Sequence, residues 1–287
     1  MNTVGASRYA PEWLALRERA DAQARAQQLL TPLRTFLADA PAPGGVLTVR
    51  DLGCGTGSMG RWLAEQLGGP QRWYMYDRDP LLLEEIGGRM PQSATDGSPI
   101  EVVPVQRDIT DLSSDELAGT SLVVASALLD VLTAEEVERI AASCAEAGCA
   151  VLMAISVEGK VEFDPADPLD AEFAAAFNAH QRRNDDGRRL LGPDAVEAAT
   201  AAFELCGATV RTHSSPWELG ADDKDLTEQW LRGWTAAACA QQPDLEKASE
   251  DDLRRRLEAS EAGDLRVVVH HRDLLALPGG PAEVAPV

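Results

Sequence analysis

Val49-Arg50-Asp51-Leu52-Gly53-Cys54-Gly55-Thr56-Gly57 is the stretch that decides the fold of this 287-residue chain. The apolar run Val46-Leu47-Thr48-Val49 leads into it, and Met59-Gly60-Arg61-Trp62-Leu63-Ala64 leads out. The order is therefore strand, glycine-rich turn, helix. Glycines in such a turn permit φ > 0 and let the backbone approach a ligand closely. The same glycines also fit a bare strand-to-helix turn, and many nucleotide folds use one. Three further stretches narrow the choice. Trp73-Tyr74-Met75-Tyr76-Asp77 is an aromatic, β-favouring run. It ends in an acid about 20–25 residues after the turn, where doubly wound sheets place a ribose-binding carboxylate. Val102-Val103-Pro104-Val105-Gln106-Arg107-Asp108-Ile109 closes on another acid. Ser121-Leu122-Val123-Val124-Ala125-Ser126-Ala127-Leu128-Leu129-Asp130 is a buried strand running into a loop. Taken singly, Asp77 and Asp108 also fit helix N-caps before Pro80 and Ser113.

In this order, the four stretches resemble the class I S-adenosylmethionine-dependent methyltransferases over roughly residues 46–156. The turn reads Asp-x-Gly-x-Gly-x-Gly and departs from the dinucleotide fingerprint. The resemblance implies an α/β fold: a doubly wound, seven-stranded, mostly parallel sheet of the Rossmann-like methyltransferase kind, with its last strand antiparallel. It implies that Asp51, Gly53 and Gly55 line the methionine part of S-adenosyl-L-methionine, with Cys54 and Gly57 in the same turn. Asp77, next to Arg78, takes the ribose hydroxyls. Asp108 accepts from the adenine amino group, and the Ile109 backbone meets the ring. Ser126, Ala127 and Leu128 pass beneath the methionine end. The product of such an enzyme is S-adenosyl-L-homocysteine.

Composition bounds the partners. The net charge is −21, which repels phosphate backbones and anionic lipid surfaces. The expectation is a small-molecule substrate, with neither nucleic acid nor membrane as partner. Five cysteines without paired spacing suggest neither a disulfide frame nor a metal site, and suit a reducing cytoplasm. The N-terminus lacks the basic-then-apolar pattern of a signal peptide, and no apolar run reaches membrane-spanning length.

Residues 1–45 read as a helical cover, with Trp13, Leu14, Leu16, Leu29, Leu30, Leu33 and Leu37 on apolar faces and a break expected at Pro32. The N-terminal helices are candidates to pair in a homodimer. The Rossmann-like domain spans 46–278, and 279–287 is expected to form a flexible tail. Strands and helices alternate to Ser156. An insertion after the fifth strand, about 159–192, breaks the alternation. The sixth strand is expected over 208–212 and the seventh over 266–271.

Candidate catalytic residues are Asp130 and His180. Asp130 follows the fourth strand and suits a base or an amine-orienting acid. His180 sits in the insertion beside Arg182, Arg183, Arg188 and Arg189, an arginine island that fits either a substrate acid or a solvated loop. That island and the later tryptophan-rich helix are loosely similar to trans-aconitate-type methyltransferases. Tyr9, Trp13 and Arg17 of the cover, with Arg182 and Arg183, are candidate substrate contacts. So are Trp230 and Trp234, which also suit helix-to-sheet packing. Arg17 or Arg25 is a candidate for the cofactor carboxylate. The reaction expected is methyl transfer to an oxygen or nitrogen of a small molecule. The alternatives are an aminopropyl transferase on the same scaffold and a non-catalytic S-adenosylmethionine-binding module. A protein or RNA methyltransferase is disfavoured by charge and by the absence of an Asn-Pro-Pro-Tyr-like run after the fourth strand.

Overall fold

The computed structural model of the chain describes residues 10–39 and 43–279. Tyr9, linker residues 40–42 and tail residues 280–287 lie outside the described residues. The chain opens with α1 (Pro11–Ala24) and α2 (Leu30–Asp39). Their break falls at Arg25 and Ala26, which are extended at ψ 131° and 96°, and not at Pro32. Pro32 occupies the first turn of α2, where a helix needs no donor from it.

Strands and helices then alternate. β1 (Leu47–Leu52), α3 (Ser58–Ala64), β2 (Gln71–Asp77), α4 (Pro80–Glu84), β3 (Ile100–Gln106), α5 (Ser114–Leu117), β4 (Leu122–Ser126) and α6 (Ala134–Ala147) lead to β5 (Ala150–Asp164). α6 starts on a capping box. Thr133 Oγ1 accepts from the Glu136 N–H at 3.2 Å, and Glu136 accepts from the Thr133 N–H at 2.9 Å. After β5 come α7 (Asp170–Gln181), a hairpin of β6 (Asn184–Asp185) and β7 (Arg188–Arg189), and α8 (Ala195–Leu205). The chain ends through β8 (Thr209–Ser214), β9 (Trp217–Leu219), α9 (Lys224–Gln241), α10 (Glu246–Ala262) and β10 (Arg266–Leu277).

The sheet order is β3-β2-β1-β4-β5-β10-β8, with β9 also paired to β10. β1 to β5 are mutually parallel, and β10 runs antiparallel to β5, β8 and β9. This is the expected seven-stranded sheet with one addition. β10 is twelve residues long, so its first half extends past β8, and the short β9 pairs with Val267–Val269 there. β5 likewise continues to Asp164, so the segment expected to leave the sheet near residue 159 is still strand. The interior strand β4 is apolar because both its faces are covered, with Leu122–Ala125 all buried. Edge strand β3 carries Pro104, which an edge tolerates.

Two apolar layers close the sheet. α2, α3 and the α4 region bury Leu30, Leu33, Leu63 and Ile86 against Val49, Trp73 and Val124 on one face. On the other, α6 and α8 bury Val137, Ile140, Val196 and Phe203 against Val123 and Val151. α2 thus packs into the core. A third cluster joins α1, α7 and α9 to β9 and the start of β10 through Phe173, Trp217, Leu231 and Trp234. Among the described residues, no helix is long and apolar enough to cross a membrane.

Candidate active site

The parallel register makes the strand ends flush. Leu52 pairs with Tyr76 and Ala125, and Asp77 pairs with Gln106. The turns that leave these strands therefore share one edge, where open α/β sheets bind ligands. A cavity of about 640 Å³ runs along that edge. Its lining includes Asp51, Gly53, Cys54, Gly55, Asp77, Arg78, Asp108, Ile109, Ser126, Ala127, Leu128 and Asp130. Gly57 stands just behind, at φ 87°, as the N-cap of α3.

Gly53 and Gly55 have φ of 62° and 55°. A Cβ on Gly53 would stand 3.0 Å from Leu128 Cδ1, and one on Gly55 3.0 Å from Leu14 Cδ1. Backbone freedom and close approach are thus both required, because Leu128 after β4 closes on Gly53 and Leu14 of α1 closes on Gly55. Two arginines and an acid hold that cover down. Arg61 on α3 forks onto Glu18 with two bonds of 2.6 Å. Arg25 reaches Ser58 Oγ and Ser126 Oγ at 3.2 Å. Asp273 on β10 accepts from the Ala26 N–H at 2.8 Å, the Ile155 N–H at 2.7 Å and Ser215 Oγ at 2.6 Å.

The three strand-end acids differ in environment. Asp51 is fully buried, and neither carboxylate oxygen has a hydrogen-bond partner. Burial pushes its carboxyl up to about 7, against the nearby charge of Arg25. Asp77 is half-buried and accepts from the Gly55 N–H and the Asp79 N–H, both at 2.9 Å. It thereby clasps the glycine turn. Asp79, not Asp77, caps α4. Asp108 accepts from the Thr110 N–H at 3.0 Å and the Thr110 hydroxyl at 2.8 Å. Burial raises its carboxyl, but these bonds and the charges of Arg78 and Arg188 outweigh it and hold it below the usual range.

Backbone strain gathers at the same place. Ala127 and Ile155 have φ of 52° and 55°, and both line the cavity. A β-branched residue in the left-handed region is an outlier of the sort that persists at functional sites. The Ile155 N–H donates to Asp273 in this conformation, at 2.7 Å.

The remaining sequence candidates divide. Trp13, Arg17 and Trp230 line the cavity; His180, Arg182, Arg183 and Trp234 do not. Arg182 pairs bidentately with Asp194 at 2.6 Å, and Arg183 bonds the His180 carbonyl at 3.2 Å. Of the arginine island only Arg188 reaches the cavity, and it pairs with Glu136 at 2.7 Å. Trp234 is core, 5.4 Å from Phe163 and 5.5 Å from Phe173 between ring centroids. Arg17 bonds Asp21 and lies over the Trp217 ring, while Arg25 is buried beneath the serines. The structure adds residues not selected from sequence: Leu14, Asp21, Phe177, Gln181, Trp217 and His271. Leu14, Phe177 and Trp217 carry only the apolar placement that core residues share, His271 only its alternation on a strand, and Asp21 and Gln181 carry no such signal.

The residues fit S-adenosylmethionine on their own chemistry. Asp51 offers two unpartnered buried oxygens to an ammonium, Asp77 offers a carboxylate to ribose hydroxyls, and the glycines keep the cradle clear. Residues 49–147 match the family model described as a methyltransferase domain. No curated protein matches the chain in sequence. Among solved structures, the cyclopropane synthase MmaA2 from Mycobacterium tuberculosis is similar at 13% identity and TM-score 0.46, covering 96% of this chain and 100% of that one. The phosphoethanolamine N-methyltransferase 2 of Haemonchus contortus, in complex with phosphomonomethylethanolamine and S-adenosylhomocysteine, shares 14% identity at TM-score 0.46, over 96% of this chain and 58% of that one. An S-adenosylmethionine-dependent methyltransferase from Thiobacillus denitrificans, bound to S-adenosylhomocysteine, shares 16% identity at TM-score 0.43, over 95% and 100%. Residues 49–147, which carry β1 to α6 and the glycine cradle, are thus matched as a methyltransferase domain, and the strand order is the one expected from the resemblance to class I S-adenosylmethionine-dependent methyltransferases.

Proposed function

We propose that this enzyme methylates an oxygen or nitrogen of a small-molecule acceptor. The observation that carries the reading is one continuous cavity. It runs from the glycine turn, under Trp13, Leu14 and Arg17 of α1, to β5, α7 and α9. A site roofed in this way suits a ligand smaller than the cavity, and the net charge of −21 argues against polyanionic acceptors.

When bound, S-adenosylmethionine supplies an electrophilic methyl group on a sulfonium centre and leaves as S-adenosylhomocysteine. The chain's own residues do the rest. Asp51 and Asp77 bind at the two ends of the aminoacyl-ribose part, and Asp108 with the Ile109 backbone orients the base. α1 excludes water from the turn. Asp130, on the cavity wall after β4, receives the proton that an acceptor hydroxyl or amine gives up. Holding acceptor and methyl in line is itself worth roughly 7–11 kcal/mol.

The test pairs binding with transfer. S-adenosylhomocysteine is titrated calorimetrically into wild type, Asp77→Ala and Asp130→Asn. The same proteins are incubated with deuterated S-adenosylmethionine and a small-molecule extract, and products are read by mass. Wild type and Asp130→Asn bind alike, Asp77→Ala binds weakly, and only wild type yields products heavier by one labelled methyl. Label in macromolecules alone, a gain of an aminopropyl mass, or full turnover by Asp130→Asn would refute the assignment.

A further inference from the structure

The arm of the cavity away from the glycine turn has a chemistry of its own. Trp13, Phe177, Trp230 and Val161 are partly buried members of the third apolar cluster, and each gives remaining surface to the cavity. Trp217 and Val269, buried in that cluster, complete the wall. Trp230 is backed by Trp234, stacked at 5.7 Å and 20°. One of its faces is therefore rigidly supported.

Among the described residues of this wall, three polar atoms lack a hydrogen bond: His270 Nε2, which has Glu162 at 3.4 Å as an ion-pair neighbour, and two with no such neighbour. His271 is 3% exposed, its ring is 5.1 Å from that of Trp217, and its Nδ1 has no hydrogen bond. Gln181 Oε1, at the end of α7, is likewise buried and unpartnered. Both residues line the cavity. Buried polar atoms are almost always bonded, so orphans facing a cavity mark where a ligand bonds. Burial and the charge of Arg17 keep the imidazole neutral. A hydroxyl, both donor and acceptor, satisfies either tautomer of such a ring.

Among the described residues, each cation of this arm has an acid partner. Arg17 pairs with Asp21 at 3.0 Å, Arg188 with Glu136 at 2.7 Å, and Lys160 with Glu162. A carboxylate brought here would be buried without a counter-charge. That separates this site from one built for organic acids.

Resting on the methyltransferase reading above, we infer that the acceptor is an uncharged, planar, hydroxylated aromatic molecule. Its ring lies among Trp13, Phe177, Trp217 and Trp230, and a hydroxyl bonds His271 Nδ1 or Gln181 Oε1. The experiment uses the full chain saturated with S-adenosylhomocysteine, whose own binding is measured first. Four matched probes are then titrated by calorimetry: 2-naphthol, naphthalene, decahydro-2-naphthol and 2-naphthoate. The expected result is that 2-naphthol binds at least roughly tenfold more tightly than each of the others, since lost stacking, a lost hydrogen bond or a buried charge each costs about that much. His271→Phe and Gln181→Leu are tested separately. At least one lowers 2-naphthol affinity about tenfold, and where it is His271→Phe, His271→Asn restores it. Equal binding of the saturated or anionic probe overturns the inference while leaving the methyltransferase assignment intact. So does unchanged affinity in both variants. Failure to bind S-adenosylhomocysteine removes both.

Discussion

Replacing Asp51 with asparagine isolates the one carboxylate, among the described residues, that is buried with both oxygens unpartnered. Its carboxyl is pushed from 3.8 to about 7, by burial first, with Asp77 adding to it and Arg25 opposing. Between about pH 4 and pH 7 the unfolded chain has released this proton while the folded chain still holds it. Stability therefore falls as pH rises through that window, by up to ~1.4 kcal/mol per pH unit and roughly 4 kcal/mol in all. Asp51→Asn removes the titration and keeps the shape. Its constant cost from the buried amide does not depend on pH. The assay is urea denaturation of both proteins at pH 4, 5, 6, 7 and 8, without ligand and with saturating S-adenosylhomocysteine. Without ligand, the stability of the variant relative to wild type should climb from pH 4 to 7 and then level. With ligand, its ammonium meets the carboxylate, and the climb should shrink. At pH 8 the variant should be more stable than its pH 4 comparison suggests, yet bind the ligand more weakly. A difference that stays constant within about 1 kcal/mol across this range would refute the idea that an uncompensated carboxylate underlies the cofactor site.

Two further outcomes follow from groups that touch the cover. Burial, then the charge of Arg17, pushes His271 down to about 3. Below about pH 6.5 the unfolded chain takes a proton that the folded chain refuses, so stability falls on acidification toward pH 3, opposite in sense to Asp51. His271→Asn should gain stability relative to wild type as pH drops from 6.5 to 4 in the same denaturation series, and a flat difference would sink the argument. Asp273→Ala strips the bonds to Ala26, Ile155 and Ser215 and leaves two buried backbone N–H groups without an acceptor. It should cost about 3 kcal/mol and loosen α1, seen as faster amide exchange there; a loss under about 1 kcal/mol would mean that the cover is held elsewhere.

The class of fold and the placement of the glycine turn and strand-end acids along one edge are local in origin, and for that reason the sequence determined them. A strand, a glycine turn and a helix form within eighteen consecutive residues, and each following acid sits at or just past the end of its own strand. The strand ends align because a parallel register carries residues such as Leu52, Tyr76 and Ala125 side by side. The acceptor side is of another kind. It joins α1, the loop after β4, β5, α7, β9, α9 and β10, segments far apart in the chain. Local patterns there mislead. Pro32 looks like a helix break but fits a first turn, while Arg25 and Ala26 bend because Ser58, Ser126 and Asp273 bond them. The arginine island looks like an anion site, yet Arg182 is spent on Asp194 and Arg188 on Glu136. Trp230 and Trp234 share a helix one turn apart and still part ways, one at the cavity and one in the core. Short-range chemistry set the strands, the turn and the acids. Which side chains meet across the cavity, which charges are already paired and which polar atoms remain unpartnered were decided only when distant segments packed together.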